Sequence, residues 1–250
     1  MSQRRLVVPR EAIEGDRATV RGPGHHYLCH VLRLRRGDRL ELLDGSGARY
    51  EGEIDGISAD AVTVAIQDRH PPPPAPAPRI VLIYGLSRRS RTEMVLQKAT
   101  ELGVDWFLPA VCERSVARAV DRPGRAERWL EIMTQATRQC GRAAAPILSP
   151  ALPLADALAQ AGEADLRIVA SGPEGEPISS VSEALAAKGL RDVAAAVGPE
   201  GGFAPEELAL AVQLGFRSVS LGRLVLRTET AAVAMLTLLS FLSGRLSPPG

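Results

Sequence analysis

The sequence predicts an α/β protein in which a domain built on a mostly parallel sheet follows a small β-rich domain. Three observations predict this fold class. Short alternating or β-branched runs fill residues 1–70. The run PPPPAPAP then occupies residues 71–78, where it can join neither a central strand nor a helix and favours an extended form. Over residues 79–250, buried strand patterns alternate with helical patterns, which is typical of a parallel sheet.

The amino-terminal segment is predicted to form a compact β-barrel with one short helix. Strand patterns run from Arg39 to Leu43, from Tyr50 to Ile54 and from Ala61 to Ile66. Asp44-Gly45-Ser46-Gly47 indicates a hairpin between the first two. The stretch from His25 to Leu34 has the spacing of a short helix, with Leu28, Val31 and Leu32 on one side.

The larger segment is predicted to alternate between buried strands and amphipathic helices. The predicted strands are Ile80 to Tyr84, Val104 to Val111, Leu166 to Ala170, Val193 to Val197 and Phe216 to Leu221. The predicted helices are Thr92 to Leu102 with Met94 in its apolar stripe, Ala126 to Cys140, Leu152 to Ala161, Val181 to Lys188, Pro205 to about Gly215, and Ala231 to Leu242. We expect Thr228 to cap the last helix. That helix is apolar on nearly every side, so we expect it to be buried on more than one face and to lie partly in a subunit interface.

Composition excludes several classes of protein. The 250 residues suffice for one large or two modest domains, and no apolar run is long enough to span a membrane. No secretory signal is expected, and three widely spaced cysteines favour a reduced, cytoplasmic protein. A net charge of +1 does not by itself indicate a nucleic-acid-binding protein, although arginines cluster locally. Three histidines near residue 28 lack accompanying cysteine or carboxylate ligands, so we predict no metal site.

Two glycine-containing strand ends dominate the carboxy-terminal third. The strand from Val193 to Val197 leads into Gly198-Pro199-Glu200-Gly201-Gly202, and the strand from Phe216 to Leu221 ends at Gly222. Glycine lets another molecule approach backbone amides closely, so the two ends indicate a pocket built from backbone. Neither matches the phosphate-binding or dinucleotide-binding glycine motifs, and both could instead be ordinary tight turns.

These residues resemble a known signature. Val197-Gly198-Pro199-Glu200-Gly201-Gly202-Phe203 and the segment LGRLVLRTETA at residues 221–231 are similar to the carboxy-terminal signature of the SPOUT methyltransferases, and of their RsmE family in particular. HVLRLRRGDRLELLDG, QKATELGVDWFLP with ERS, and QCGR followed by Pro146 also resemble RsmE blocks. The chain departs from the family pattern at His30, where an arginine is usual, and at Arg138, where glutamate is common.

The resemblance implies a fold, a cofactor and a reaction. It implies a PUA-like RNA-binding β-barrel over residues 1–70, the linker 71–78, and a SPOUT methyltransferase domain over residues 79–250 with a carboxy-terminal trefoil knot. The implied cofactor is S-adenosylmethionine. The implied reaction is methylation of uridine N3 in 16S ribosomal RNA of the small subunit by a cytoplasmic homodimer that uses no metal.

The resemblance also implies site residues. Those expected to bind the cofactor are Gly198, Pro199, Glu200, Gly201, Gly202, Leu221, Gly222, Leu224, Leu226, Arg227, Thr230 and Ala231. Small Ala232 would leave room, and Ser171 and Gly172 would complete the floor. Those expected to contact RNA are Arg4, Arg5, Arg33, Arg35, Arg36, Arg39, Arg88, Arg89 and Arg91, although a solvated face or a surface loop would look the same.

The acidity of uracil N3 limits which residue types could assist the methyl transfer. Uracil N3 is a poor nucleophile while it is protonated, so a base or a stabiliser of the anion is needed. Arginine cannot act as a base but can stabilise negative charge, which suggests Arg114 and Arg227. Glu200 or Glu229 is the candidate base. Alternatively, Arg227 and Glu229 pair with each other, and Glu200 caps the following helix.

Two other functions stay open. One is a SPOUT methyltransferase acting on another RNA position, such as a ribose 2′-hydroxyl. The other is a non-catalytic RNA-binding factor in ribosome assembly. The intact glycine and LRTETA segments argue against the second, because a protein that had lost the cofactor would be free to lose those glycines.

Overall fold

The computed structural model describes residues 4–45, 48–71, 78–115, 124–187 and 189–246. The chain forms two compact units, one of residues 1–75 and 137–145 and the other of residues 76–136 and 146–250. The predicted linker at 71–78 lies outside the described residues except at its two ends.

The first unit is built on a six-stranded sheet. Its strands are β1 (Arg5–Val7), β2 (Ile13–Glu14), β3 (Arg17–Arg21), β4 (Arg39–Leu43), β5 (Arg49–Ile57) and β6 (Ala61–His70). They pair in the order β1-β4-β5-β6-β3-β2, with β1 parallel to β4 and the remaining pairs antiparallel. The three predicted strands are confirmed as β4, β5 and β6, whereas closure into a barrel stays a prediction. The predicted hairpin between β4 and β5 falls partly on residues 46–47, outside the described residues.

The predicted helix of the first unit is short and changes its winding. Helix α1 (Gly22–His26) runs directly into a π-type turn at Tyr27–Val31. Leu28 is buried in the core of this unit, together with residues such as Leu6, Leu42, Ile54 and Val64. The expectation that Val31 shares the buried side is wrong, because the wider π-type winding leaves Val31 exposed.

The second unit is built on an eight-stranded sheet in which every pairing is parallel. Its strands are β7 (Arg79–Gly85), β8 (Trp106–Val111), β9 (Ile147–Leu148), β10 (Leu152–Pro153), β11 (Leu166–Ala170), β12 (Glu176–Pro177), β13 (Asp192–Val197) and β14 (Arg217–Ser220). The order is β10-β8-β7-β13-β11-β14-β12, and β9 also pairs with β8. The predicted parallel sheet is therefore confirmed.

Among its described residues, the second unit has six α-helices beside this sheet. They are α2 (Arg89–Glu101), α3 (Arg125–Cys140), α4 (Leu154–Gln160), α5 (Ser182–Ala186), α6 (Pro205–Gln213) and α7 (Thr228–Leu242). Helix α4 begins two residues later than predicted, because Leu152 and Pro153 pair with β8 as a short strand. Met94 is exposed, so its predicted place in the apolar stripe of α2 is wrong and Leu96 is buried there instead.

The sheet separates two hydrophobic layers. Along β7, alternate residues such as Leu82 and Tyr84 pack on the side of α2 and α7, while Val81 and Ile83 pack on the side of α4 and α6. This alternation follows from the two-residue period of a strand, and apolar residues at every position suit a strand covered on both faces. Strand β13 lies between β7 and β11, so its end is brought to the middle of the sheet edge.

Helix α7 is buried on one stripe within the chain. Ala232, Met235, Leu236 and Leu239 belong to the core at helical spacing. Phe241 is exposed, and Val233 is only half-buried. The expected burial on a second face is therefore not found within one chain.

Candidate functional site

A cavity of about 280 Å³ lies where three neighbouring strands end. Strands β13, β11 and β14 are adjacent and parallel, so the loops after Val197, Ala170 and Ser220 emerge at one sheet edge. Ligands bind at this edge in open parallel sheets. The cavity is lined by Ala170, Ser171, Gly172, Val197, Gly198, Pro199, Glu200, Gly201, Gly202, Phe203, Leu208, Leu221, Gly222, Leu224, Val225, Leu226, Thr228 and Ala231.

Glycine is required at particular points around this cavity. A Cβ atom at Gly85 would lie 2.6 Å from both the nitrogen and the ring Cδ of Pro199, so the end of β7 approaches the loop after β13 too closely for a side chain. Gly202 has a φ of +69° and Gly222 a φ of +128°, conformations that L-residues with side chains rarely adopt. The backbone itself therefore forms much of the lining, as the sequence predicted.

Thr228 joins the last helix to the central strand. Its hydroxyl donates a 2.5 Å hydrogen bond to the carbonyl oxygen of Gly198, and both the bond and the side chain are buried. The prediction that Thr228 is the N-cap is wrong, because Arg227 is the N-cap and Thr228 is the first helical residue. The hydroxyl that would cap the helix instead satisfies a carbonyl in the cavity loop.

Two carboxylates beside the cavity share one guanidinium. Arg91 Nη1 lies 3.1 Å from Glu200 Oε1, and Arg91 Nε lies 3.7 Å from Glu229 Oε2. The backbone N–H of Arg88 also donates to Glu200 Oε1, at 2.9 Å. The alternative in which Glu229 pairs with Arg227 is wrong, since Glu229 faces Arg91, which occupies the first turn of α2.

The alternative in which Glu200 caps the following helix is also wrong. Glu207 has that role, because its Oε2 accepts a 2.8 Å hydrogen bond from the N–H of Ala204, the N-cap of α6. Its other oxygen accepts from the N–H of Glu113, also at 2.8 Å. Glu207 thus ties the loop after β8 to α6, and Glu200 is left available to the cavity.

Buried hydroxyls fix the turn that carries Arg88 and Arg91. The Tyr84 hydroxyl lies 2.8 Å from Ser87 Oγ, which lies 3.3 Å from Thr92 Oγ1. Burial raises the pKa of Tyr84 above its ordinary value, so the phenol stays a neutral hydrogen-bonding group. The connection from β7 to α2 is therefore held by side chains as well as by backbone.

Arg114 packs against the glycine loop. Its Nη1 donates a 3.0 Å hydrogen bond to the carbonyl of Gly201, and a Cβ atom at Gly201 would lie 3.1 Å from Arg114 Cβ. Nearby, burial raises the pKa of the Cys112 thiol to about 12, and the charge of Glu207 adds to the effect. Cys112 is thus a structural thiol rather than a reactive one.

Most of the predicted cofactor residues meet at this cavity, and two do not. Gly198, Pro199, Glu200, Gly201, Gly202, Leu221, Gly222, Leu224, Leu226 and Ala231 line it, as do Ser171 and Gly172. Arg227 and Thr230 are exposed and do not line it, because the backbone turns into α7 there. Ala232 lies in the core. Thr228 was missed as a lining residue because the helix-start pattern at Thr228-Glu229 also suits an N-cap. Val225 could have been predicted to line the cavity, since it stands between two predicted lining residues, Leu224 and Leu226.

The predicted RNA-binding arginines differ in how they are held. In the first unit, Arg4 pairs with Asp38 at 2.7 Å, Arg5 pairs with buried Glu41, and Arg36 pairs with Asp55 at 3.7 Å. Arg33 is exposed with a φ of +52°, and among the described residues its guanidinium has no hydrogen bond or ion pair. Arg35 and Arg39 are also exposed. In the second unit, Arg88 is exposed, Arg89 pairs with Glu93 at 2.8 Å, and Arg91 faces the two carboxylates described above.

Within the described ranges, no helix has the length and apolar character needed to cross a bilayer. Across the same part of the chain, no group of three or more histidine, cysteine, aspartate or glutamate side chains could hold a metal ion.

The lining suits the cofactor that the resemblance implies. Glycine backbone can recognise a purine by N–H and C=O groups, leucine side chains cover apolar atoms, and Glu200 adds an acidic group. Glu200 Oε2 is buried and has no hydrogen-bond partner among the described residues, which leaves an acceptor for a polar or cationic ligand.

Comparison with known proteins places the chain among RNA-modifying enzymes. Residues 73–240 match the family model described as an RNA methyltransferase domain, and residues 24–67 match an RNA methyltransferase PUA domain. The ribosomal RNA small subunit methyltransferase E of Synechocystis sp. is 30% identical over 94% of this chain and 76% of that protein. The protein of the same name from Mycobacterium bovis is 30% identical over 92% of this chain and 88% of that protein.

Solved structures agree. A putative methyltransferase from Legionella pneumophila, in complex with bound SAM, superposes with a TM-score of 0.84 and 30% identity over 96% of this chain and 98% of that one. The ribosomal RNA small subunit methyltransferase E of Neisseria gonorrhoeae, bound to S-adenosyl methionine, has a TM-score of 0.82 and 27% identity over 96% of this chain and 98% of that one.

Proposed function

This chain belongs to the RNA methyltransferase family that includes the ribosomal RNA small subunit methyltransferases E, and we propose that it methylates N3 of a uridine in 16S ribosomal RNA. The observation that carries the proposal is the glycine-lined cavity at the ends of β11, β13 and β14. A cavity of this kind suits a nucleoside cofactor, and two similar structures contain S-adenosylmethionine.

S-adenosylmethionine is the proposed cofactor, and it supplies a methyl group on a positively charged sulfur. The cavity-lining residues named above would hold it. Gly198, Gly201 and Gly202 would offer backbone groups to it, Leu221 and Leu226 would cover its apolar parts, and Glu200 would supply a negative charge. Arg227 and Thr230 remain proposed cofactor contacts. The chain mainly has to align donor and acceptor and exclude water, because methyl transfer is an in-line displacement.

The acceptor nitrogen needs help to react. When uracil N3 gains the methyl group it loses a proton, so the site must take up that proton or stabilise the anion that precedes transfer. Glu200 and Glu229 are the proposed bases, since each has a buried Oε2 to which no described residue makes a hydrogen bond. Arg114 and Arg227 are the proposed stabilisers of negative charge on the uracil oxygens.

RNA binding is proposed for the arginines of both units. The amino-terminal unit, matched by the PUA model, would contact the backbone through Arg4, Arg5, Arg33, Arg35, Arg36 and Arg39. Arg88, Arg89 and Arg91 would do so near the cavity. The target base is normally stacked or paired, so we propose that it is extruded into the site.

The remaining proposals concern assembly and topology. A homodimer with α7 in its interface would cover the exposed Phe241 and the exposed apolar residues Leu224 and Val225. Sedimentation of the purified protein as a monomer would contradict it. The trefoil knot, the domain limits at residues 70 and 79, and a cytoplasmic location are likewise proposed from family membership.

Mapping the methylated nucleotide tests the function. The protein is incubated with labelled S-adenosylmethionine and small ribosomal subunits from cells that lack the activity. We expect label on N3 of one 16S uridine. Label on another atom, such as a ribose 2′-hydroxyl, would overturn the proposed target. Cofactor binding without label on any RNA would favour the non-catalytic assembly factor.

A further inference from the structure

Two carboxylates, one of which lines the cavity, share a single guanidinium beside it. Among the described residues, the guanidinium of Arg91 lies within 4 Å of both carboxylates. Arg91 is 3.1 Å from Glu200 and 3.7 Å from Glu229. Both carboxylates are mostly buried, with side chains 20% and 13% exposed. One oxygen of each, Oε2, is buried and has no hydrogen-bond partner in the part of the chain that the structure describes. One cation therefore serves two acids whose bonding capacity is not filled.

The two acids differ in their relation to the cavity. Glu200 lines it, whereas Glu229 lies in the first turn of α7, facing Arg91. Glu200 Oε1 is fixed by two donors, the backbone N–H of Arg88 at 2.9 Å and Arg91 Nη1 at 3.1 Å. Because one oxygen is anchored, the orientation of the carboxylate is set, and its other oxygen remains for a ligand.

We propose that Glu200, positioned by Arg91, makes the cavity favour the positively charged methyl donor over its neutral demethylated product. This inference rests on the proposed use of S-adenosylmethionine. A partly buried carboxylate attracts a nearby cation more strongly than an exposed one, because water screens it less. Loss of the methyl group converts the sulfonium to a neutral thioether, so the same carboxylate ceases to hold the ligand once the reaction is complete.

Glu229 contributes through Arg91. It pairs with the same guanidinium as Glu200. The single positive charge of Arg91 therefore cannot neutralise both carboxylates, and the group of three side chains keeps a net negative charge. Replacing Glu229 with glutamine leaves the contact between Arg91 and Glu200 in place but lets Arg91 neutralise Glu200 more completely. We therefore expect Glu229→Gln to weaken the preference in the same direction as Glu200→Gln, by a smaller factor.

Equilibrium binding to the full chain tests the proposal without turnover. Calorimetry measures the Kd of S-adenosylmethionine and of S-adenosylhomocysteine for the wild type, Glu200→Gln and Glu229→Gln. The matched control is Glu93→Gln, because Glu93 is 21% exposed and paired with arginine but does not line the cavity. We expect Glu200→Gln to weaken binding of the donor by roughly three- to tenfold and to leave binding of the product within about twofold.

The ratio of the two dissociation constants decides the outcome. An equal loss of affinity for both ligands in Glu200→Gln would overturn the proposal, because it would assign Glu200 a purely structural role. If Glu200→Gln does not fold, an unchanged ratio in Glu229→Gln would overturn it equally. A shifted ratio in Glu93→Gln would show that any lost carboxylate has the effect, which also contradicts the proposal. Failure of the wild type to bind either ligand would instead refute the proposed function itself.

Discussion

Thr228 and Gly198 are joined by a buried 2.5 Å hydrogen bond from the threonine hydroxyl to the glycine carbonyl. The two residues are 30 positions apart, and the bond connects the first residue of α7 to the loop that follows β13. Both residues line the cavity. The bond thus fixes the distance between two walls of the site before any ligand arrives.

Replacing Thr228 with valine should damage both stability and the site. Valine has a similar shape but cannot donate, so the buried carbonyl of Gly198 would lose its partner at a cost of about 1–3 kcal/mol. We expect a melting temperature lower by roughly 3–10 °C, together with weaker binding of S-adenosylmethionine. Thr228→Ser should retain both. Thr237→Val is the matched control, because the Thr237 hydroxyl also donates to a backbone carbonyl, that of Val233 in α7, but Thr237 lies outside the lining. An equal loss of cofactor affinity in Thr237→Val would show that the effect does not depend on the bond to Gly198.

Gly85→Ala should destabilise the second unit although alanine is small. Its Cβ would lie 2.6 Å from backbone and ring atoms of Pro199, and neither β7 nor the loop can move without disturbing the sheet. We expect a loss of about 1–3 kcal/mol in thermal or urea unfolding, with reduced cofactor affinity. Gly56→Ala has no atom within 4 Å of the added carbon and should be tolerated. Equal stability of the two variants would show that the contact at Gly85 relaxes freely.

Arg114 and Arg227 should act on the rate of methyl transfer. If they stabilise charge on the uracil oxygens, alanine at either position should lower the single-turnover rate by roughly 10–1,000-fold at saturating cofactor. Arg114→Ala should also weaken cofactor binding, because Arg114 supports Gly201. Arg223→Ala, a change in an exposed residue of the same loop as Arg227, is the control. Full single-turnover rates in both variants would exclude the charge-stabilisation role.

The arginines of the first unit should fall into two groups. Arg33 is exposed without an ion pair among the described residues, so Arg33→Ala should reduce the slope of log K against log salt for RNA binding by about 1. Arg5 is bonded to the buried carboxylate of Glu41, so Arg5→Ala should lower the free energy of unfolding in addition to weakening RNA binding. Filter binding at several salt concentrations and thermal unfolding measure the two effects. An unchanged slope for Arg33→Ala would remove it from the RNA surface.

Stability should fall in alkaline solution partly because of Cys112. Burial raises the pKa of its thiol to about 12 from an ordinary value of 9.0. Above pH 9 the unfolded chain releases this proton while the folded chain keeps it, so the free energy of unfolding decreases as pH rises, by at most about 1.4 kcal/mol per pH unit. The contribution is complete below pH 9. Urea unfolding between pH 8 and 10.5 should show a shallower decline in Cys112→Ala; identical slopes would contradict the assignment.

The sequence predicted the elements that have a clear period and missed those that do not. Residues from Ile80 to Tyr84 are an uninterrupted apolar run, and the run from Leu166 to Ala170 is interrupted only by Arg167; both form parallel strands as predicted. Strands of two residues, such as Leu152–Pro153, are too short to show an alternating pattern in the sequence. Leu152–Pro153 forms a strand because it pairs with the edge of β8. Threonine is a residue type that favours the N-cap, but the hydroxyl of Thr228 instead donates a hydrogen bond to the buried carbonyl of Gly198.

By itself, the sequence determined the parallel sheet and the glycine loops at its edge, because strand period and backbone freedom are properties of neighbouring residues. It also identified most of the residues that line the cavity. Only the tertiary structure decided the partners of the charged groups. Arg91 and Glu200 are 109 positions apart, and they meet because β7 and β13 are neighbours in the sheet. An ion pair depends on distances of a few ångströms between side chains, and those distances follow from strand order rather than from any local pattern.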